Sequence, residues 1–267
     1  MTLRVGWFTT GRGSGSKGML DHVIKAIDLN ELDAKIVFVF SNREKGESEI
    51  TDVLFDEITK KNIPLITLSS NKFRKKINGK LSNSVHILEQ WRKDFDTEIS
   101  KLINRYQYDL IVLGGYMLVL TEQFCNDYYL LNLHPALPKG PIGTWQEVII
   151  KLIRNNLNES GMMMHRAIKE VDKGPVATIC KYSIKNSLNQ NLWEQFNNNS
   201  DCIEDKEIQN SELFNNIRGL GLALESNFII QTLNEFALKN INLTNLKISA
   251  TSKLPIDLSN LSIKNEK

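Results

Sequence analysis

The sequence predicts an α/β fold, a Rossmann-like open and mostly parallel sheet with helices on both faces and antiparallel strands added in the second half. Short β-branched runs alternate with amphipathic helical patterns in the first half, which is typical of βαβ units. Residues Ala34–Phe40 are apolar almost without a break, as strands are when helices cover a parallel sheet on both faces. From Gly161 onward, two extended runs flank the turn-forming segment Asp172–Pro175, so the added strands are expected to be antiparallel.

The first half of the chain supplies the predicted parallel strands and most of the helices. The strands are predicted from short apolar runs: Arg4–Phe8, Ala34–Phe40, Pro64–Leu68, Asp109–Leu113 and Tyr129–Leu133. The helices are predicted from apolar residues at helical spacing: Met19–Leu29, Ser48–Lys61, His86–Tyr106 and Trp145–Leu157. Residues 69–84 are rich in Lys, Asn and Ser, and they predict a loop.

The second half is predicted to complete the same domain. Met162–Val171 and Val176–Ile184 are the two predicted antiparallel strands. Residues 185–211 have few apolar side chains and predict an exposed insertion or mobile loop. A long helix is predicted over Ser211–Leu238, followed after Asn240 by a loosely held tail. We therefore expect one α/β domain over residues 1–184, the insertion over 185–211, and a helix and tail over 212–267 that pack on that domain.

Composition excludes several classes of function. The formal charge of +2 among 267 residues gives no basic footprint for nucleic acid. The longest apolar stretch, Leu110–Leu120, is interrupted by two glycines and is shorter than the roughly 18 residues that a membrane helix needs. Residues 1–10 show no secretory signal, so a cytoplasmic location is expected. The three cysteines lack the spacing of a disulfide framework or a zinc site, so no metal is expected.

The segment Thr9–Gly18 is a glycine-rich connection between the first strand and the first helix. Backbone N–H groups at a helix N-terminus attract phosphate. The residues that this predicts as phosphate contacts are Arg12, Gly13, Ser14, Gly15, Ser16 and Lys17. The glycine spacing also matches a dinucleotide fingerprint, but Ser41-Asn42-Arg43 follow the second strand, where that motif needs an acid. A P-loop is excluded because Gly18, and not Ser or Thr, follows Lys17. A tight turn without a ligand is the alternative.

Asn132 and His134 stand two residues apart at the end of the predicted strand Tyr129–Leu133. Residues at this spacing in a strand project to the same face, and open α/β sheets bind ligands at the carboxyl ends of their strands. An amide can donate to an oxygen that gains negative charge, and an imidazole can move a proton near neutral pH. The pair therefore predicts a catalytic site. The alternative is that His134 bonds a neighbouring turn and that Asn132 caps it.

Asp172 begins the turn between the two antiparallel strands. By itself an aspartate at this position indicates a turn former, whose side chain bonds nearby backbone amides. It becomes a candidate catalytic residue only when it is taken together with Asn132 and His134. His165, in the preceding strand, is interpreted as a packed or surface residue without a catalytic role.

Four motifs in this order resemble the folate-dependent formyltransferase family: Gly-x-Gly-Ser near the N-terminus, Gly-Tyr-Met at 115–117, Asn-Leu-His-Pro at 132–135 and Asp-Lys-Gly-Pro at 172–175. The resemblance spans about residues 3–184 and is weaker over 211–238. It implies an enzyme that transfers a formyl group from 10-formyltetrahydrofolate to the amine of a small phosphorylated acceptor, without a metal. It also implies that Asn132, His134 and Asp172 are the catalytic group.

The resemblance further implies where the two substrates bind. The folate pocket would be lined by the loop that follows Gly114 and by the segment before Asp172. The residues implied are Tyr116, Met117, Leu118, Val119, Leu120, Leu130, Ile168, Lys169, Glu170 and Val171. The acceptor would contact the glycine-rich segment and Pro135.

Three departures from the family pattern concern the acceptor. The run Gly13–Lys17 stands in place of Gly-Ser-Asn, with Lys17 available to supply a charge. Ala136–Pro138 replaces Leu-Leu-Pro, and Gly219–Gly221 aligns with an acid that contacts the sugar in the family. The alternatives are therefore a formyltransferase for an amino sugar nucleotide, a 10-formyltetrahydrofolate hydrolase, or a non-catalytic folate- or phosphate-binding relative. Nucleic-acid and membrane partners are not expected, and a homodimer is left open.

Overall fold

The computed structural model describes residues 2–78, 85–198, 203–243 and 254–260. Its strands are β1 (Leu3–Thr9), β2 (Ala34–Ser41), β3 (Leu65–Thr67), β4 (Leu110–Leu113), β5 (Leu130–His134), β6 (Glu159–Arg166), β7 (Val176–Ser183) and β8 (Ile256–Asp257). Its helices are α1 (Ser14–Asp28), α2 (Glu49–Lys60), α3 (Ser70–Asn78), α4 (Val85–Ile103), α5 (Glu122–Asp127), α6 (Trp145–Arg154), α7 (Gln190–Asn198), α8 (Asp205–Asn210) and α9 (Glu212–Ala237). These strands form one sheet in the order β3-β2-β1-β4-β5-β6-β7-β8.

Strands β1 to β5 run parallel, as the apolar runs predict. Neighbouring residues on β1 face opposite sides of the sheet. Trp7 lies in one core cluster with Leu20 and Phe228, while Phe8 lies in a second cluster with Phe95. Helices thus cover both faces, which confirms the predicted architecture. The carboxyl ends of β1, β4 and β5 meet at one edge of the sheet, where the candidate site lies.

Strands β6 and β7 pair antiparallel with β5 and with each other, which confirms the prediction for the second half. The strand predicted to reach Val171 ends at Arg166 instead. The turn over 172–175 folds back onto this point, where Arg166 N–H donates to the carbonyl of Pro175 over 2.9 Å. A Cβ on Gly174 would lie 1.7 Å from the Arg166 carbonyl oxygen, so the chain can approach this closely only at a glycine.

Helix α1 begins at Ser14, earlier than the predicted start at Met19. Gly15 and Gly18 therefore belong to the helix, and only the residues before Ser14 form the connection from β1. At the far end of the parallel sheet, α6 ends at Arg154 and not at Leu157. Asn156 there has a φ of +49°, a left-handed conformation that does not continue a helix.

Two segments that the sequence predicts as loops contain helices. In residues 69–84, α3 covers Ser70–Asn78, and Phe73 packs against Phe95 of α4 with 5.2 Å between ring centres. Residues 79–84 lie outside the described part of the chain. In residues 185–211, α7 and α8 each bury one large side chain, Trp193 and Ile208. The partly buried Leu192 and Phe196 of α7 pack against the same cluster as Trp193, and the low average hydrophobicity of the segment conceals such anchors.

The C-terminal residues after 240 are held more firmly than predicted where they are described. Ile241 is buried, and β8 adds a short parallel strand to β7 through the pair Thr178 and Ile256. Residues 244–253 and 261–267 lie outside the described residues. Within the part of the chain that the structure covers, no helix combines the length and the apolar character needed to cross a membrane.

Candidate active site

The side chains of Asn132, His134 and Asp172 meet at the carboxyl end of β5. His134 Nδ1 lies 3.3 Å from Asp172 Oδ2, and Asn132 Nδ2 donates to Asp172 Oδ1 over 3.3 Å. The backbone of Asp172 has a φ of +59°, a left-handed conformation that aspartate adopts more readily than most residues. The structure therefore brings together three residues that the sequence places in two distant segments.

His165 is a fourth member of this cluster and received no role from its local sequence. It lies opposite Asn132 in the pairing of β5 with β6, and it is 1% exposed. Its Nε2 is 3.1 Å from Asn132 Nδ2 and 3.4 Å from Asp172 Oδ1, and its Nδ1 faces the carbonyl of Arg166 at 3.1 Å. The Arg166 carbonyl favours a proton on Nδ1, so Nε2 can accept from Asn132. The antiparallel register of β5 and β6 was the signal that could have revealed this residue.

The charges of this cluster are set by burial and by the two histidines. Burial lowers the pKa of His134 below its ordinary value, although the Asp172 carboxylate and the carbonyl of Pro141 act in the opposite direction. Burial alone would raise the pKa of Asp172. A hydrogen bond with His165 and the charges of His134 and His165 outweigh it, so this pKa is lowered. The site therefore favours an ionised carboxylate beside a neutral imidazole.

An apolar pocket of about 250 Å³ opens next to this cluster, and Asn132, His165 and Asp172 form part of its wall. Seven of the ten residues implied for the folate pocket line it: Tyr116, Met117, Leu118, Val119, Leu120, Ile168 and Val171. Met117, Val119 and Val171 are 55%, 47% and 56% exposed, so apolar side chains of the pocket are open to solvent. The pocket is suited to a flat, largely apolar ligand. We call it the donor pocket.

The other three implied residues lie elsewhere. Leu130 is fully buried in the core cluster behind β5. Lys169 is exposed and pairs with Glu122 over 2.8 Å, and Glu170 is also exposed. These three residues are close in sequence to pocket residues, but they do not line the pocket.

Asp96 on α4 anchors the donor-pocket loop, residues 115–121, at its C-terminal end. Both the N–H and the hydroxyl of Thr121 donate to Asp96 Oδ2 over 2.7 Å, and Asp96 is 5% exposed. Burial raises the pKa of Asp96, and the two bonds from Thr121 oppose that shift. Sequence reasoning gave Asp96 no role, because a lone acid on a helix carries no local signal.

The glycine-rich segment places the N-terminus of α1 beside the donor pocket. Gly13 is the N-cap residue, no side chain caps the helix, and its first turn contains no acid. Gly115, at the start of the donor-pocket loop, has a φ of +75°, and a Cβ there would lie 2.9 Å from Ser16 Cβ. The two segments are therefore in direct contact, and the N–H groups of α1 point to the same edge of the sheet as Asn132 and His134.

Lys17, which was expected to supply charge for a phosphate, is engaged elsewhere. Its ammonium lies 2.6 Å from Glu57 Oε1 on α2. That hydrogen bond raises the pKa of Lys17 despite partial desolvation. Arg12 is exposed in the connection between β1 and α1.

A narrow cleft of about 10 Å³, room for about one water molecule, lies on the other side of β5 and contains Pro135, the residue after His134. We call it the acceptor cleft. Its polar lining comes from Ser160, Tyr182, Arg218 and Glu225, and Trp145 forms one wall. Glu225 is 6% exposed and lies on α9, beyond the Gly219–Gly221 segment that aligns with the family's sugar-contacting acid. Arg218, Glu225 and Trp145 could not be predicted from the sequence, because nothing local distinguishes them from ordinary helical residues.

A family model for "Formyl transferase" matches residues 11–201 of this chain, from the glycine-rich segment to beyond α7. The chain belongs to the formyl transferase family. This confirms the resemblance that the four motifs carry, and with it the prediction of a formyltransferase. Among the described residues of this formyltransferase, no group of three or more His, Cys, Asp or Glu side chains is arranged to hold a metal.

Curated relatives agree with this assignment. The chain is 30% identical over 173 residues to the phosphoribosylglycinamide formyltransferase of Dictyostelium discoideum, a match that covers 61% of this chain and 77% of the relative. It is 29% identical over 184 residues to the protein of the same name in Saccharomyces cerevisiae, covering 66% and 80%.

Solved structures share the fold. The phosphoribosylglycinamide formyltransferase of Coxiella burnetii has a TM-score of 0.62 at 21% identity, covering 90% of this chain and 89% of its own. A formyltetrahydrofolate deformylase from Pseudomonas syringae has the same TM-score at 18% identity, covering 91% and 63%. The fold of this formyltransferase is thus shared by enzymes named for two reactions. The family match ends before α9, so Arg218 and Glu225 lie outside the residues it covers.

Proposed function

We propose that the protein transfers the formyl group of 10-formyltetrahydrofolate to the amine of phosphoribosylglycinamide or a closely related phosphorylated amine. The observation that carries this proposal is the placement of the catalytic cluster between two adjoining sites. The apolar donor pocket has Asn132 and Asp172 in its wall, and the uncapped N-terminus of α1 contacts the same loop at Gly115. A folate fits the first site and a phosphate fits the second.

The reaction joins the acceptor nitrogen to the formyl carbon and releases the folate nitrogen. The amine lone pair attacks the formyl carbon, and the carbonyl oxygen becomes an oxyanion in a tetrahedral intermediate. The amine then loses a proton, the bond from carbon to N10 breaks, and N10 gains a proton. The products are the formamide and tetrahydrofolate.

His134 is the proposed acid and base in this sequence. Burial keeps its imidazole neutral, so it can take a proton from the attacking amine. The imidazolium that results is stabilised by Asp172 at 3.3 Å. Asp172 thus orients the ring, and Asn132 donates to the carboxylate when no substrate is bound.

Asn132 is the proposed donor to the oxyanion. Its amide nitrogen faces His165 at 3.1 Å and Asp172 at 3.3 Å, contacts that fix the plane of the amide. A hydrogen given to the formyl oxygen replaces the longer of these contacts. A preorganised donor of this kind typically contributes about 3–4 kcal/mol to lowering the barrier.

The test is an acceptor panel with the purified protein and 10-formyltetrahydrofolate. Tetrahydrofolate release is followed with phosphoribosylglycinamide, with an amino sugar nucleotide and with no acceptor, and formate is measured in parallel. The proposal expects tetrahydrofolate release that requires phosphoribosylglycinamide and is lost in Asn132→Ala. Formate release without an acceptor would replace it with a hydrolase, and failure to bind 10-formyltetrahydrofolate would overturn it.

A role in purine biosynthesis is part of this proposal, since the relatives of this chain also include trifunctional purine biosynthetic proteins. The cytoplasmic location, the lack of nucleic-acid and membrane partners and the three-part domain organisation stay predictions, and the homodimer stays open.

A further inference from the structure

The short helix α5 follows the donor-pocket loop directly. Thr121, the last residue of that loop, is the N-cap of α5, and its hydroxyl accepts from the N–H of Phe124 over 3.3 Å. Phe124 is 2% exposed and lies in the core cluster that contains Phe95 of α4. Cys125, the next residue of α5, lines the donor pocket itself. The helix is therefore continuous with one segment of the pocket wall.

The same helix also contacts the other segment of the pocket wall. We call that segment, residues 167–172, the second wall segment. Arg166, the residue before it, donates from Nη2 to the carbonyl of Cys125 over 3.4 Å. Within it, Lys169 pairs with Glu122, the first residue of α5. This exposed ion pair contributes little by itself, but both contacts join the second wall segment to the helix that continues the first.

Asp96 is the buried group that ties α5 to a rigid part of the fold. Its Oδ2 accepts from the N–H and from the hydroxyl of Thr121, both over 2.7 Å. Bonds to a carboxylate are roughly twice as strong as those between neutral groups, so Thr121 is held firmly. Phe95, the residue before Asp96, is 1% exposed, and its ring centre lies 5.2 Å from that of Phe73 and 5.4 Å from that of Trp91. The carboxylate is therefore presented from a well-packed helix.

We infer that Asp96 is the positioning residue for the formyl donor. It fixes α5 through Thr121, and α5 holds the donor-pocket loop and the second wall segment at the spacing that the folate needs. Asp96 does not line the pocket, so it acts only through these contacts. This inference rests on the proposed function, since it names the group that determines how tightly the folate is bound.

The experiment compares Asp96→Ala and Asp96→Asn with the wild-type protein in steady-state transfer from 10-formyltetrahydrofolate. Asp96→Ala is expected to raise the KM of the folate about tenfold, the effect of one charge-assisted hydrogen bond. Asp96→Asn keeps a carbonyl oxygen for Thr121, so its KM should stay within about threefold of the wild-type value. The acceptor KM and kcat should change little in both variants, because His134 and the acceptor cleft lie on other elements.

Asp109→Ala is the matched control. Asp109 also accepts a backbone N–H and a side-chain donor from one distant residue, Arg4, over 2.8 Å and 2.7 Å, but it lies outside the donor pocket. This variant should lower the melting temperature and leave the KM of the folate unchanged. An increase in that KM equal to the increase in Asp96→Ala would reduce the role of Asp96 to general stability and overturn the inference.

Thr121→Val is the second variant, and it decides the outcome if Asp96→Ala does not fold. It keeps the N–H bond to Asp96 and removes the hydroxyl, whereas Thr121→Ser keeps both. The KM of the folate should rise about threefold to tenfold in Thr121→Val and return to the wild-type value in Thr121→Ser. An unchanged KM of the folate in Asp96→Ala or in Thr121→Val would overturn the inference.

Hydrogen exchange in the ligand-free protein separates this inference from the proposed function. Amide exchange is compared in the wild-type protein, Asp96→Ala and Asp109→Ala, without folate or turnover. Asp96→Ala should exchange at least about threefold faster in the donor-pocket loop and also in the second wall segment, which Asp96 reaches only through α5. If this is found and no formyl transfer occurs, the proposed function fails and the role of Asp96 in the pocket stands. If the second wall segment exchanges as in the wild-type protein, the inference fails even when transfer is efficient.

Discussion

The donor pocket and the acceptor cleft lie on two sides of β5, and they are built in different ways. The donor pocket takes most of its wall from two continuous segments, the loop from Tyr116 to Leu120 and the turn that precedes Asp172. The acceptor cleft takes its polar wall from side chains that the chain brings from far apart, on β6, β7 and α9.

The two sites also differ in charge. The donor pocket exposes apolar side chains, whereas the acceptor cleft contains a partly buried ion pair between Arg218 and Glu225. A pocket that recognises a flat ring system needs shape and backbone groups, and these are encoded locally. A cleft that selects a charged acceptor needs fixed charges, and fixing them requires partners from other elements.

The largest effect is expected for His134, which belongs to the boundary between the two sites. We expect His134→Ala to lower kcat by about 10²–10⁴-fold, because a positioned acid and base is lost. The dissociation constants of the folate and of the acceptor should change little, because neither proposed binding surface includes the ring. Single-turnover kinetics and equilibrium binding together measure this separation.

The control for this prediction is Arg154→Gln, which leaves the cluster intact. A loss of folate binding in His134→Ala as large as the loss of kcat would show that the ring supports the donor pocket and not the chemistry.

The sequence predicts the features that depend on neighbouring residues, and it does not predict those that depend on contacts between distant elements. The parallel sheet, the antiparallel addition and the trio Asn132, His134 and Asp172 are predictable, because strand patterns and motif spacing are properties of neighbouring residues. His165 became visible only with the register that sets it opposite Asn132. Glu225 and Arg218 were missed because α9 is apolar on several faces, and a long helix offers no motif to show which of its residues reaches a cleft.

The contact between the donor-pocket loop and helix α1 can be broken at Gly115. We expect Gly115→Ala to lower the free energy of unfolding by roughly 1–3 kcal/mol, since a left-handed backbone is unfavourable with a Cβ and the new methyl would meet Ser16. Displacement of Ser16 and of the donor-pocket loop should raise the KM of both substrates, by up to about tenfold. Urea denaturation and steady-state kinetics measure the two effects.

Gly46→Ala is the matched control for this change. Gly46 has a φ of +88°, and nothing lies within 4 Å of the position that its Cβ would take. It should therefore carry the backbone cost without the contact, with KM values unchanged. If Gly115→Ala raised the KM of one substrate alone, the donor-pocket loop and α1 would not be coupled through this contact.

A smaller effect is expected in the pH dependence of kcat/KM. His134 must be neutral to accept a proton, and burial lowers its pKa, so activity should fall only below the ordinary value of about 6.5. The carboxylate of Asp172 acts against this shift. In Asp172→Asn the acid limb should therefore move to still lower pH, with a reduced maximum, in a profile recorded at constant ionic strength. An acid limb above pH 7 in the wild-type protein would contradict the assignment of His134 as the buried base.

The smallest effect is expected for Lys17, the cation that the sequence places in the acceptor site. Its ammonium is 2.6 Å from Glu57, and both side chains are about one-third exposed, at 32% and 33%. Exposed pairs of this kind contribute little, so Lys17→Met should change the KM of the phosphorylated acceptor by no more than about twofold. Glu57→Gln tests the alternative, because it releases Lys17 without removing its charge. If Lys17→Met raised the KM of the phosphorylated acceptor tenfold and Glu57→Gln lowered it, the Lys17 side chain would move away from Glu57 when the acceptor binds. The acceptor cleft would then take its charge from the local motif after all, and it would be built in the same way as the donor pocket.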